Sequence, residues 1–86
     1  MPTYYHVTTK AAWKGIKRDG LQPGSDGIAG PGIYMASSLE DAENRSKHKG
    51  SVILEVETKG YPYKCGGGRG NYVVYDADRI KSVTRL

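Results

Sequence analysis

The sequence predicts a single small α+β domain, built mostly of β-strands with two short helices. Its 86 residues leave room for one domain, residues 1–86, because a chain of this length has a single thin core and buries only about 60% of its unfolded surface. Segments rich in Val, Ile and Tyr outnumber the two segments with helical periodicity. The order β-α-β-α-β-β-β groups strands at the end of the chain, and this grouping favours α+β over alternating βαβ units.

The first strand and the first helix account for residues 4–20. Tyr4–Thr8 is aromatic and β-branched, which is typical of a strand. Thr8 or Thr9 can cap a following helix that ends near Asp19, and Gly20 supplies the stop. One face of this helix is expected to carry its apolar side chains, which are Ala12, Trp13 and Ile16.

A predicted loop separates this helix from the second strand. Residues 22–31 are rich in Gly, Ser, Asp and Pro, and Leu21 is expected to pack back on the core before them. The second strand follows at Gly32–Ala36. Ser38 then precedes an acidic first turn, and this pattern predicts a short helix over about Leu39–Ser46.

The rest of the chain is predicted to be β-structure and turns. Val52–Thr58 shows the clearest alternation of apolar and charged residues. Gly60–Gly70 is expected to be a loop, and Tyr72–Tyr75 is the next strand. Asp76–Asp78 is expected to turn the chain into a final strand over Ile80–Leu86.

Composition restricts the classes of function. The formal net charge of +4 favours a phosphate-bearing ligand or an acidic partner, although no basic run interleaved with aromatics marks an RNA-binding motif. The single cysteine, Cys65, excludes an internal disulfide and a cysteine-rich zinc site. No signal peptide and no apolar stretch long enough to span a membrane is evident, so we expect a cytoplasmic protein without a membrane partner.

Three residues on or directly before predicted strands are candidates for chemistry. His6 is either a hydrogen-bonded core histidine or a group aimed at a ligand hydroxyl. Tyr34 follows a glycine- and proline-containing turn, so its ring either packs or stacks on a flat ligand that Gly32 lets approach. Asn71 comes after Gly70 and by itself is typical of a turn. No metal-ligand spacing and no Ser-His-Asp set is present. The 66–70 loop lacks the phosphate-loop spacing.

Several segments, in order, resemble the poly(ADP-ribose) polymerase-like group of ADP-ribosyltransferases, here in a minimal single-domain form. Tyr5–Thr8 resembles the His-Gly-Thr or His-Gly-Ser strand of that family. Gly30–Ala36 resembles its Gly-x-Gly-Ile-Tyr-Phe-Ala segment, and Asn71–Asp76 its Glu-Tyr-x-Val-Tyr-Asp segment. The helix that ends in Gly20-Leu21 and the strand at Val52–Val56 also match, so the resemblance covers almost the whole chain.

The resemblance implies an NAD site in a split, mixed or antiparallel sheet. By the family pattern, His6 hydrogen-bonds the adenosine-side ribose. The Val7 backbone pairs with the nicotinamide amide, with Thr8 beside it. Tyr34 stacks on the nicotinamide ring, and Asn71 stands where the catalytic Glu stands.

The chain departs from the family pattern at four positions. Val7 replaces the usual Gly of the first motif. Ala42 replaces a Ser that binds the nicotinamide amide, and Arg45 replaces a second stacking Tyr. Asn71 replaces a carboxylate that stabilises the positive charge built up as the nicotinamide–ribose bond breaks. Members that transfer a single ADP-ribose also lack this Glu.

Two classes of function follow. The first is an NAD-dependent mono-ADP-ribosyltransferase acting on a protein or nucleic-acid acceptor. The alternative is a weak or inactive module that binds NAD, ADP-ribose or a macromolecule on the same fold. An RNA 2′-phosphotransferase ranks third, because no Arg flanks His6 to hold the phosphate.

Overall fold

The computed structural model describes residues 2–22, 32–64 and 71–86. Two helices, α1 and α2, and six strands, β1 to β6, lie in these ranges together with one 3-10 turn. In chain order they are β1 Thr3–Thr8, α1 Lys10–Asp19, β2 Ile33–Ala36, α2 Leu39–Lys49, β3 Val52–Thr58, β4 Tyr63–Lys64, β5 Asn71–Val74, the 3-10 turn Ala77–Arg79 and β6 Ile80–Arg85.

The strands form one sheet in the order β4-β5-β2-β1-β3-β6. All five strand pairings are antiparallel, so the α+β prediction is confirmed and the mixed alternative for the sheet is wrong. β1 and β3 are in register over six residue pairs, from Thr3↔Glu57 to Thr8↔Val52. β1 and β2 share only the pair Tyr5↔Ala36. We call this short boundary between β1 and β2 the seam.

The core lies on the face of the sheet that α1 covers. Its strand residues alternate with more exposed neighbours, as in β3, where Val52, Leu54 and Val56 are almost fully buried. Trp13 and Ile16 of α1 pack against this cluster. The other core members are Tyr4, Leu21, Ile33, Met35 and Val74. Each fully buried side chain of this size contributes about 1.5–3 kcal/mol.

Helix α1 follows its local signals. The Thr9 hydroxyl accepts from the Ala12 backbone N–H at 3.1 Å, which caps the N-terminus. Gly20 has φ 85° and its N–H donates to the Ile16 carbonyl, so glycine ends the helix as predicted. Leu21 is buried. Ala12 is exposed, so its predicted place on the apolar face is wrong.

Helix α2 is longer than predicted. Ser38 caps it through the Asp41 N–H at 3.2 Å, as expected, but the helix continues to Lys49 and not to Ser46. Residues 47–49 contain neither Gly nor Pro, so nothing in the sequence ends the helix before Gly50. The helix stops at Gly50, where φ is 156° and an added Cβ would collide with the Thr8 carbonyl.

The C-terminal third contains the other corrections. Part of the predicted 60–70 loop is strand β4, which pairs with β5 through Tyr63↔Val73 and Lys64↔Tyr72. Such a short strand forms because β5 offers it a partner, not because of its own pattern. The predicted turn after β5 is a 3-10 turn capped by Asp76. β5 itself begins one residue early, at Asn71, and ends at Val74.

Candidate functional site

The three predicted site residues lie on three neighbouring strands. His6 is on β1, Tyr34 on β2 and Asn71 on β5, and these strands are adjacent in the order β5-β2-β1. Position 71 is opposite Ala36 in the β2–β5 register, two residues from Tyr34. Segments far apart in the sequence therefore meet in one part of the sheet.

A direct hydrogen bond joins His6 to Tyr34 across the seam. The His6 Nδ1 atom lies 2.7 Å from the Tyr34 carbonyl oxygen. A carbonyl oxygen only accepts, so Nδ1 carries the proton and donates it. In the neutral ring Nε2 is then the acceptor nitrogen. The bond fixes both the tautomer and the tilt of the imidazole.

The seam explains why a side chain reaches that carbonyl. The registered pairing of β1 with β2 is limited to Tyr5↔Ala36, whereas β1 is paired with β3 along its whole length. Where the β1–β2 ladder ends, backbone carbonyls of β2 need another donor. The His6 imidazole supplies one to Tyr34.

His6 and Tyr34 belong to opposite faces of the sheet. Tyr5 is opposite Ala36, so Tyr5, Ala36 and Tyr34 share one face by strand alternation. His6 is opposite Leu54, a fully buried core residue, and shares the other face with it. The side chains of His6 and Tyr34 therefore lie on opposite faces of the sheet at the seam.

The two residues that follow His6 on β1 are half-buried or buried. Val7 is half-buried and paired with Ile53. Thr8 is 9% exposed and paired with Val52. The predicted contacts of Val7 and Thr8 with nicotinamide stay predictions.

Gly32 has a structural reason to be glycine. A Cβ at this position would lie 2.5 Å from Val73 Cγ2 and 3.4 Å from Tyr75 Cδ1. Close packing of β2 on β5 therefore accounts for Gly32 without a ligand. The preceding residues of the Gly30–Ala36 motif, positions 30 and 31, lie outside the described part of the chain.

The two positions of α2 that differ from the pattern of the family it resembles differ in exposure. Ala42 is fully buried, as a core residue of the helix. Arg45, one turn later, is half-buried. Their predicted involvement in NAD binding stays a prediction.

One titrating group near this region is clearly perturbed. Burial raises the pKa of the Tyr4 phenol above its ordinary value of 10.0, and neighbouring Tyr72 raises it further. The two rings are 5.1 Å apart between centroids. Across residues 2–22, 32–64 and 71–86, no three His, Cys, Asp or Glu side chains come together as metal ligands would.

The sequence analysis missed a cluster at the β4 side of the sheet. The side chains of Tyr63, Tyr75 and Arg79 meet there, and Arg79 also donates to the Tyr61 carbonyl; we call these four residues the aromatic edge. The available signal in the sequence was a pair of tyrosines, Tyr61 and Tyr63, separated by a single residue in a glycine-rich segment. Both are exposed in the structure. The pairing of β4 with β5, which brings Tyr63 to Tyr75, could not be seen in the sequence.

Comparison with protein-family models, curated proteins and solved structures finds no match to this chain. Neither α1 nor α2, the helices in the described ranges, is long and apolar enough to cross a membrane.

Proposed function

We propose that this domain is an NAD-dependent mono-ADP-ribosyltransferase with an ADP-ribosyltransferase-like split sheet. The observation that carries the proposal is the hydrogen bond from His6 Nδ1 to the Tyr34 carbonyl at the seam. It brings together the first two segments of the family resemblance, and β5 places Asn71 on the next strand.

His6 is proposed to bind the ribose on the adenosine side of NAD. With Nδ1 donating to Tyr34, the ring in its neutral form has its acceptor lone pair on Nε2. A ribose hydroxyl is a suitable donor to that nitrogen. The Tyr34 carbonyl keeps the acceptor in one orientation, which lowers the cost of binding.

The nicotinamide end is proposed to lie at the seam beside Tyr34. The registered pairing of β1 with β2 is limited to Tyr5↔Ala36, so Val7 has no registered partner on β2. A carboxamide can bind its backbone groups as an added strand would. The half-buried Tyr34 ring supplies a flat surface for stacking.

The reaction needs little chemistry from the protein. The bond between the nicotinamide nitrogen and ribose C1 breaks, and its electron pair leaves on nicotinamide. A lone pair of the acceptor forms the new bond to C1, and the acceptor's proton passes to a carboxylate or to water. Asn71 can hydrogen-bond a ribose hydroxyl but brings no charge, so an acceptor carboxylate is proposed to stabilise the cationic transition state. This favours one transfer over chain growth.

The alternative is a module that binds NAD or ADP-ribose without turnover. It is favoured by the amide at position 71 and by the full burial of Ala42, which replaces a Ser expected to bind nicotinamide. The transferase releases nicotinamide from bound NAD, whereas the module binds NAD or ADP-ribose and releases none.

Incubation with NAD labelled in its adenylate half tests both proposals. Labelled macromolecule from a cell lysate, with an equal amount of released nicotinamide, supports the transferase. Binding measured by calorimetry with no nicotinamide released supports the module. Absence of NAD and ADP-ribose binding overturns both.

Two variants of Tyr34 test the stacking role. Tyr34→Phe keeps a flat ring and should retain transfer. Tyr34→Ala should lower the rate of transfer about tenfold, since an aromatic contact contributes up to about 1.5 kcal/mol. Equal activity of the two variants would remove Tyr34 from the site.

A further inference from the structure

The aromatic edge exposes three tyrosine side chains that are not part of the hydrophobic core. Tyr61 is 79% exposed, Tyr63 60% and Tyr75 48%. The rings of Tyr63 and Tyr75 lie 5.8 Å apart between centroids, tilted by 37°. Tyr4, in the core, is by contrast only 8% exposed.

A cavity of about 170 Å³ opens at this edge, lined by Tyr63, Val74, Tyr75, Asp76 and Arg79. It is smaller than the roughly 300–1,000 Å³ of sites that enclose a whole drug-sized ligand. Two aromatic rings and an aliphatic side chain suit one flat ring system.

The charged groups of the cavity are held in place by the backbone. The Arg79 guanidinium donates to the Tyr61 carbonyl at 3.4 Å. The backbone carbonyl of Arg79 accepts from the Lys59 N–H, and the backbone N–H of Arg79 donates to the Asp76 carbonyl. The Asp76 carboxylate accepts from the Asp78 N–H at 3.2 Å. A cation and a carboxylate therefore flank the rings in fixed positions.

The surroundings are more basic than acidic. Lys59, Lys64 and Lys81 are exposed and lie next in the chain to residues of the edge or close to them. Asp76 and Asp78 are the acidic groups of the same segments. The chain as a whole carries a formal charge of +4.

We infer that the aromatic edge binds single-stranded nucleic acid, with one base stacked on Tyr63 and Tyr75. Exposed aromatic rings beside cations are the means by which proteins hold unpaired strands, since every base offers a flat face. Arg79 and Lys64 contact the adjoining phosphates. The Asp76 carboxylate accepts from amino groups on the base edge.

Addition of another protein strand to this edge is less well supported. β4 has only two residues, Tyr63 and Lys64, so it offers a poor template for a further strand. The inference goes beyond the proposed NAD chemistry and does not rest on it.

Fluorescence anisotropy of a short labelled oligothymidylate, without NAD, tests the inference. Tyr63→Ala and Tyr75→Ala should each weaken binding about 5- to 150-fold, the effect of losing one stacked base. Tyr63→Phe keeps the ring and should bind as the parent does. Leu39→Ala, which removes an exposed apolar side chain elsewhere on the surface, is the matched control and should change nothing.

Charge variants give a second, independent measurement. Arg79→Gln and Lys64→Gln should each reduce the slope of log affinity against log salt by about 0.7. Lys47→Gln, an exposed lysine of α2, should leave the slope unchanged. Circular dichroism of each variant verifies that it folds.

Four results would overturn the inference. The first is the absence of binding to oligothymidylate and oligoadenylate at low salt. The second is binding that Tyr63→Ala and Tyr75→Ala leave unaltered. The third is tighter binding to a duplex of the same length. The fourth is a dimer in sedimentation that Tyr63→Ala abolishes, because the edge would then be an interface between copies of this chain.

Discussion

Replacing Gly32 by Ala is expected to destabilise the domain through one contact. The added Cβ would lie 2.5 Å from Val73 Cγ2, whereas carbon atoms in contact are ordinarily about 3.5–4.0 Å apart. Val73 is almost fully buried and its β-branched side chain has little rotamer freedom. The β2–β5 pairing therefore has to open to admit the methyl group.

The cost follows from this overlap alone. The φ of Gly32 lies outside the left-handed region, so alanine suffers no backbone strain there. Forcing an extra carbon into a packed core costs about 1–3 kcal/mol. For a domain of this size that lowers the Tm by roughly 4–8 °C per kcal/mol.

Urea denaturation followed by far-ultraviolet circular dichroism measures the change, with Gly15→Ala as the matched control. Gly15 lies inside α1 and a Cβ there would meet nothing within 4 Å. Because alanine is the better helix former, the same chemical change should stabilise the domain by about 0.5–1 kcal/mol. The two substitutions are thus expected to have opposite signs.

A double-mutant cycle identifies the contact responsible. V73A removes Cγ2, so G32A should cost about 1 kcal/mol less in the V73A background than in the parent. A free energy of unfolding unaltered by G32A, or an identical cost in both backgrounds, would show that Gly32 does not pack on β5 as described.

Three further outcomes are expected. Tyr4→Phe should reduce the loss of stability that denaturation measures between about pH 8 and 11. Because the pKa of Tyr4 is raised in the folded state, the unfolded chain ionises first and the stability of the parent falls as pH rises above about 10. Equal slopes of stability against pH for the parent and the variant would contradict this. Thr9→Ala should cost about 1 kcal/mol by removing the cap on the Ala12 N–H, while Thr9→Ser should not. Asn71→Glu should raise nicotinamide release about tenfold, equivalent to ~1.4 kcal/mol of transition-state stabilisation, and NAD binding without such a rise would remove Asn71 from the catalytic position.

The elements that the sequence predicted well are those with local causes. The N-caps at Thr9 and Ser38 act through side chains three residues from the N–H groups they bind. The strand at Val52–Thr58 was predicted with its true bounds because alternation and burial agree along it. Strand β4 was missed because only its pairing with β5 defines it.

The candidate site divides in the same way. Residue types at His6, Tyr34 and Asn71 could be selected from their motifs, but their arrangement depends on contacts across the sheet. His6 and Tyr34 are 28 positions apart, and nothing local predicts that an imidazole donates to that carbonyl. The aromatic edge likewise depends on the pairing of β4 with β5, so its residues were visible in the sequence but their proximity was not.

The seam also has a consequence for how far the sheet can open. It separates β4-β5-β2 from β1-β3-β6, and the chain passes between these halves four times, at each link except that from β4 to β5. Neither half is a continuous stretch of sequence, so neither can be expressed without strands of the other. Four chain connections therefore join the two halves of the sheet. A ligand proposed to bind at the seam would therefore contact two groups of strands that four chain connections join.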